Sequence, residues 1–262
     1  MRATRRMMCA ALLCVRGRRR DGVGNELPIE LWGFWPEGQF EGHGKPLADG
    51  WNDRLIEYYE AQPKEVQNSL FEFRGGDTYP LFVSMKFKSQ IGTCRNREQP
   101  FTPIFPHEPP RSFNTEKTYK SLGSLIKLNI GLLAVDEAMK ALIERMEPGM
   151  HQFFPIEVIM PKGKVCRTSY HILVIGQYFD SFSPEKSKKD AFRAIPNSQN
   201  FSHVESKSGI TGLALCKDVY GKAHLWRDRR LSRLPTFFSD NFQVEIEKAG
   251  LRTPKRYKMM EI

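Results

Sequence analysis

The chain has 262 residues, 40% hydrophobic and 27% charged, the make-up of a globular protein whose core needs no disulfide staples. A formal net charge of +10 invites a nucleic-acid reading, but seven Arg and no acid fall within residues 1–20. Removing those seven from the 40 Lys and Arg leaves 33 basic against 30 acidic residues, a balance that gives no warrant for phosphate binding.

Residues 1–20 form a basic arm around a short apolar run, Met7 to Val15. A signal peptide needs a longer apolar region and a small-residue cleavage site; Arg16-Gly-Arg-Arg-Arg follows instead. The arm is expected to be disordered, or to reflect a start codon chosen upstream of the true one. No window elsewhere reaches the roughly 20 apolar residues of a membrane span. Five Cys (9, 14, 94, 166 and 216) are an odd number without repeating spacing, which argues for a reducing, cytoplasmic setting.

Residues 21–50 are rich in Gly and Pro, and Trp32, Phe34 and Trp35 are expected to dock on the body. From Trp51 the spacing turns helical, with Trp51, Leu55, Tyr58 and Tyr59 on one face and Pro63 as the stop. Leu81–Phe87 (LFVSMKF) reads as a strand. Five Pro between residues 98 and 113 mark a lobe boundary, which divides an N-terminal lobe, 21–113, from a C-terminal lobe, 114–262.

Beyond the boundary, Asp136 is placed to cap a helix whose apolar stripe is Met139, Leu142, Ile143 and Met146, ended by Pro148-Gly149. Phe153–Met160 and Tyr170–Phe179 read as two strands of a hairpin turned through Pro161-Lys-Gly-Lys. Residues 184–208 are a polar surface excursion. Leu213–Cys216 starts a strand, Val219–Lys222 turns, and Ala223–Arg227 returns. Ser239 or Asp240 caps a second helix with Phe242, Ile246 and Ala249 inward; Gly250 closes it and Arg256–Ile262 is a last strand. The shared layout of the two helical units predicts an α+β fold, with helices packed on an antiparallel or mixed sheet in two closely associated lobes.

Candidate chemistry is sparse. Cys166, His171, Cys216 and His224 are zinc-type ligands, but their spacing lacks the tight Cys-x-x-Cys turn of structural zinc sites. His224 and Asp228 invite reading as an acid–base pair. A catalytic pair needs a third group and a nucleophile on a strained turn, and the sequence carries no phosphate-binding loop, nucleophile elbow or zinc-protease motif. Gly75-Gly76 reads as a turn, and Asp49 and Asp53 as helix-start charges. Arg227, Arg229, Arg230 and Arg233 form the one local basic cluster of the body, a solvated face or a contact surface for an acidic partner. Trp226 is expected to pack between a strand and the second helix, while Arg227 and Asp228 tie loops together.

Three stretches in order carry a family likeness: AVDEAMKALIERMEPGMHQFFPIEV (134–158), HILVIGQYFDSFSPEKS (171–187), and HLWRD with FFSDNFQVEIEKAGLRTPKRYKMMEI toward the end. Over about residues 120–262 they resemble the eleventh immunity-protein family of bacterial polymorphic toxin systems. The resemblance implies a cytoplasmic protein that binds and neutralises a cognate toxin by forming a stoichiometric complex. The resemblance carries over no catalytic residue; no metal or cofactor is expected from the residues, and neither membrane nor nucleic acid as partner. It also marks His224, Trp226, Arg227, Asp228, Arg229, Arg230, Ser239 and Asp240 as candidate motif or partner-contact residues. Two other readings stay open: an unrecognised enzyme built around His224 and Asp228, and a nucleic-acid protein acting through the Arg-rich arm.

Overall fold

A computed structural model describes residues 30–34, 50–70, 78–89, 103–115, 117–128, 131–204, 206–232 and 235–262. In chain order the first elements are β1 (Glu30–Phe34), α1 (Trp51–Glu60), α2 (Lys64–Leu70), α3 (Tyr79–Ser89), β2 (Ser112–Asn114), β3 (Leu125–Lys127), β4 (Leu133–Asp136) and α4 (Glu137–Met146). Then come β5 (Gln152–Met160), β6 (Lys164–Val165), β7 (Tyr170–Val174), β8 (Tyr178–Phe179), β9 (Phe192–Ala194), β10 (Phe201–His203) and α5 (Lys207–Gly212). The last are β11 (Ala214–Leu215), α6 (Lys217–Tyr220), β12 (Leu225–Asp228), β13 (Thr236–Ser239), α7 (Asp240–Lys248) and β14 (Tyr257–Glu261).

Two mixed sheets organise these elements. The first runs β2-β5-β7-β4-β3, with β6 also on β5; the second runs β11-β14-β1-β13-β12-β8. In the first, β4 and β5 both run antiparallel to β7, which lies between them. In the second, β13 and β14 both run antiparallel to β1. Each sheet therefore contains a strand–helix–strand unit split by one opposed strand, β4-α4-β5 and β13-α7-β14. The two helices face each other, and Arg145 of α4 bridges to Glu245 of α7 at 2.9 Å.

The protein is layered. Neighbouring strand residues point to opposite faces, and here both faces are covered. Leu133, Val135, Leu173, Leu225 and Phe238 meet Met139, Leu142 and Ile143 of α4 and Phe242 and Ile246 of α7 in a central core. Their neighbours Ala134, Ile172 and Val174 face outward onto Trp51, Leu55, Val83 and Phe87 of α1 and α3. On the far side, Trp226 and Phe237 face Ile210, Tyr220 and the aromatic rings of the β9–β10 hairpin. This double burial explains the unbroken apolar runs in β4, β7 and β13, where a half-solvated strand would alternate.

The α+β class stands as expected, and several local readings need correcting. Leu81–Phe87 is not a strand but part of α3. Tyr79, Val83 and Phe87, four residues apart, are among its buried positions, and Leu81 is 61% exposed. Lys86 is buried on the same side, and a charge there hides the helical period. Tyr170–Phe179 is two strands, because the chain leaves the first sheet after β7 and joins the second as β8. At this crossing a side chain on Gly176 would collide with the backbone carbonyl of Met150, so only glycine fits. Val219–Lys222 falls partly in α6 rather than in a simple turn. Ala249 is exposed, and Gln243 takes the inward place on α7.

Other expectations meet the structure directly. Trp51, Leu55 and Tyr59 are buried on α1, with Tyr58 half-buried beside them. Asp136 caps α4 by accepting from the Met139 amide at 2.9 Å, and Ser239, rather than Asp240, caps α7. The backbone of Trp32 and Phe34 forms β1, between β13 and β14. Their side chains, the arm at 1–20, Trp35, Asp49, Gly75-Gly76, Cys9, Cys14, Cys94 and Arg233 lie outside the described residues.

Candidate functional site

The predicted motif residues converge on β12 and the start of α7, and two buried carboxylates hold them there. The first is Glu147, the residue that ends α4. Gln177 Nε2 donates to its Oε1 at 2.7 Å, and the backbone N–H of His224 donates to the same oxygen. Its Oε2 accepts from His151 Nε2 at 2.7 Å and from the Leu225 amide at 3.0 Å. The Gly176 amide donates to His151 Nδ1, which places the imidazole proton on Nε2, toward the carboxylate. Burial alone would raise the Glu147 pKa. Hydrogen bonds from His151, the His224 amide and Gln177 outweigh it and hold the carboxyl below its ordinary range.

From Glu147 the network continues to α7. His224 Nδ1 shares a 2.7 Å hydrogen bond with Ser239 Oγ, and Ser239 Oγ also accepts from the Phe242 amide at 3.2 Å as the helix cap. The Glu147-to-His151 stretch and the His224-to-Asp240 stretch, far apart in sequence, thus form one connected array joining the two sheets.

The second carboxylate is Asp228, at the other end of β12. Its Oδ2 accepts from Ser181 Oγ at 2.9 Å and the Phe182 amide at 2.7 Å, and its Oδ1 from the Arg230 amide at 2.8 Å. Burial dominates and pushes its pKa up against these three donors. His224 and Asp228 therefore serve separate clusters. Four residues of strand put them roughly 13 Å apart, and the structure does not join them as an acid–base pair.

Between the two nodes, Trp226 is fully buried and stacks on Tyr220 with centroids 4.3 Å apart. Among the described residues its indole N–H has no hydrogen-bond partner. Arg227 is also buried; its guanidinium reaches the Lys88 carbonyl and thereby ties α3 to the second sheet. Arg229 pairs with Asp180 at 3.1 Å, and Arg230 donates to the Phe182 carbonyl and lies 5.2 Å from the Phe201 ring centroid. The described members of the Arg cluster are thus engaged within the fold.

The zinc-type residues are dispersed. Cys166 packs on the core beneath α1 and α3, Cys216 precedes α6, and His171 lies 3.5 Å from Glu137. Among the described residues no group of three His, Cys, Asp or Glu is placed to hold a metal ion.

One cluster had no counterpart in the sequence reading. Lys86 and Glu108, both buried, form a 2.5 Å ion pair, and Tyr79 and the Phe105 amide also donate to Glu108. Lys86 donates to the Pro103 carbonyl, and Trp51 Nε1 donates to the Glu108 carbonyl at 2.7 Å. These bonds clamp the Pro-rich segment 103–110 onto α1 and α3.

Fold and polar clusters together define an α+β scaffold whose internal acids and bases bind one another. The family model of the immunity protein family Imm11 matches residues 58–260, well over half of the chain, and the chain belongs to that family. The match reaches beyond the span of resemblance, back into α1. No curated protein matches the chain. Toxin immunity is thus the general role of its family. Among the described residues no helix is long and apolar enough to cross a membrane.

Proposed function

We propose that the chain neutralises a cognate toxin by stoichiometric binding in the cytoplasm and turns over no substrate. Membership of the immunity family over residues 58–260 carries this reading. The internal chemistry supports it: Glu147 takes four donors, Asp228 three, and Glu108 is held by Lys86 and Tyr79. Groups so saturated serve rigidity, which a binder needs in order to keep its surface preorganised. Of the motif residues, Arg229, Arg230, Ser239 and Asp240 are half-buried and so partly exposed at the surface, whereas Trp226, Arg227 and Asp228 support them from within. The gene beside this one is expected to encode the toxin. Co-expression should restore growth, and the two chains should co-elute as a defined complex. Restored growth with no complex formed would overturn binding as the mechanism.

A further inference from the structure

The β5–β6 hairpin carries a surface feature that the toxin-binding reading has not used. From Pro161 to Ser169 every residue is exposed except the half-buried Cys166. Lys162 and Lys164 stand on this tip and Arg167 follows toward its base, beyond the Cys166 amide that bonds to the Val158 carbonyl; the three side chains make no ion pair or hydrogen bond among the described residues. No acid occurs from Val158 to Ser169; the nearest along the chain is Glu157, at the hairpin's base. The basic stretch Glu185 to Asp190 is bracketed by its own acids, and in the basic stretch Arg252 to Lys258 Arg252 is tied to the Leu122 carbonyl and Arg256 to Glu247.

Two further observations set the hairpin apart. Lys162 adopts φ 65° and ψ 25°, left-handed backbone that glycine enters freely and lysine does not, and Gly163 follows at φ 71°. A cation thus occupies an apex that Gly or Asn would fit without strain, and strain kept at an exposed tip points to use. Val165, between the cations, is 48% exposed. The support is rigid: Ile156, Val158 and Met160 of β5 are buried, and β5 is paired on both edges, with β7 and with β2.

We propose that this hairpin docks an acidic face of the toxin, an inference that rests on the toxin-binding function above. Unpaired cations around an exposed apolar residue suit a protein surface, where charge steers the encounter and the apolar contact is desolvated on docking. Duplex DNA fits less well, because three cations neutralise about three phosphates and give only a shallow salt dependence.

The test compares three full-length proteins: wild type, the charge reversal K162E/K164E/R167E, and Lys162→Gly. Each is measured against the toxin that co-elutes with the wild type and, separately, against a short DNA duplex. The reversal should slow association with the toxin about tenfold or more at low salt, lose its salt dependence and leave the melting temperature unchanged. Lys162→Gly should melt higher, because the strain is relieved, and yet associate about two- to threefold more slowly. A reversal that binds the toxin at the wild-type rate and salt slope would overturn the docking surface while leaving toxin binding intact. A reversal that loses only DNA binding would also overturn it, assigning the hairpin to nucleic acid. Failure of the wild type to bind any toxin would remove the function on which the inference rests.

Discussion

At Glu147 and Asp228 two buried carboxylates meet similar sets of donors with opposite electrostatic outcomes. The Glu147 pKa is lowered below its ordinary 4.5, so its stabilising contribution is complete above about pH 4.5 and is lost as pH falls through the lowered folded value. The Asp228 pKa is raised above its ordinary 3.8, so its contribution is complete below that value and is lost as pH rises through the raised one. Glu147→Gln should therefore cost about 3 kcal/mol at neutral pH, because donors are left facing an amide N–H₂. Its deficit should shrink on acidification, while that of Asp228→Asn should grow. Denaturant titrations between about pH 3 and pH 7 read both trends, and parallel trends would refute the two assignments. Little of this was legible in the sequence. Glu147 and His151 stood inside the stretch that resembles the immunity family, but nothing local says that a helix-ending Glu meets the amides of residues 224 and 225. His224 and Ser239 are both among the candidate residues read from the sequence, but their contact needs the register of β12 on β13.

The capped helices were the most readable elements, since an oxygen-bearing side chain before an apolar stripe at helical spacing is a local signal. The structure separates the two caps by what else each does. Asp136 serves α4 through the Met139 amide, whereas Ser239 serves α7 and also holds His224. Asp136→Ala should accordingly cost about 1 kcal/mol and Ser239→Ala about 2 kcal/mol, measured as shifts in denaturant midpoint at constant slope. Equal costs would mean that the His224 bond adds nothing. The elements misread from sequence share a cause in tertiary structure. In α3 the buried ion pair of Lys86 with Glu108 puts a charge on the inner face, so the apolar pattern loses its helical period. The β7–β8 run is apolar up to Ile175, and Gly176, whose backbone packs against the Met150 carbonyl, with the polar Gln177 after it marks the break between sheets.

For the whole molecule, the decisive pairing is that of β1 with β13 and β14, more than 200 residues later in the chain. No sequence periodicity announces so distant a neighbour, and the two-lobe reading accordingly drew its line by proline content alone. We propose that the division near residue 113 is a boundary in packing rather than in folding, because β1 fills the gap between two C-terminal strands. A fragment of residues 114–262 should therefore melt at least several degrees below the full chain or aggregate through the opened strand edges. A fragment with the full chain's cooperative melting would show the lobe to be autonomous. The same two-sheet frame, with its acids and bases closed on one another, underlies the central claim that this immunity protein acts as a binder. That claim is tested most directly by titrating the purified chain into a toxin-poisoned extract and measuring the activity that returns. Protection is predicted to rise linearly and saturate near one chain per toxin chain, since an inhibitor is consumed in its complex. Full rescue by a small fraction of an equivalent would contradict this and make the protein a catalyst.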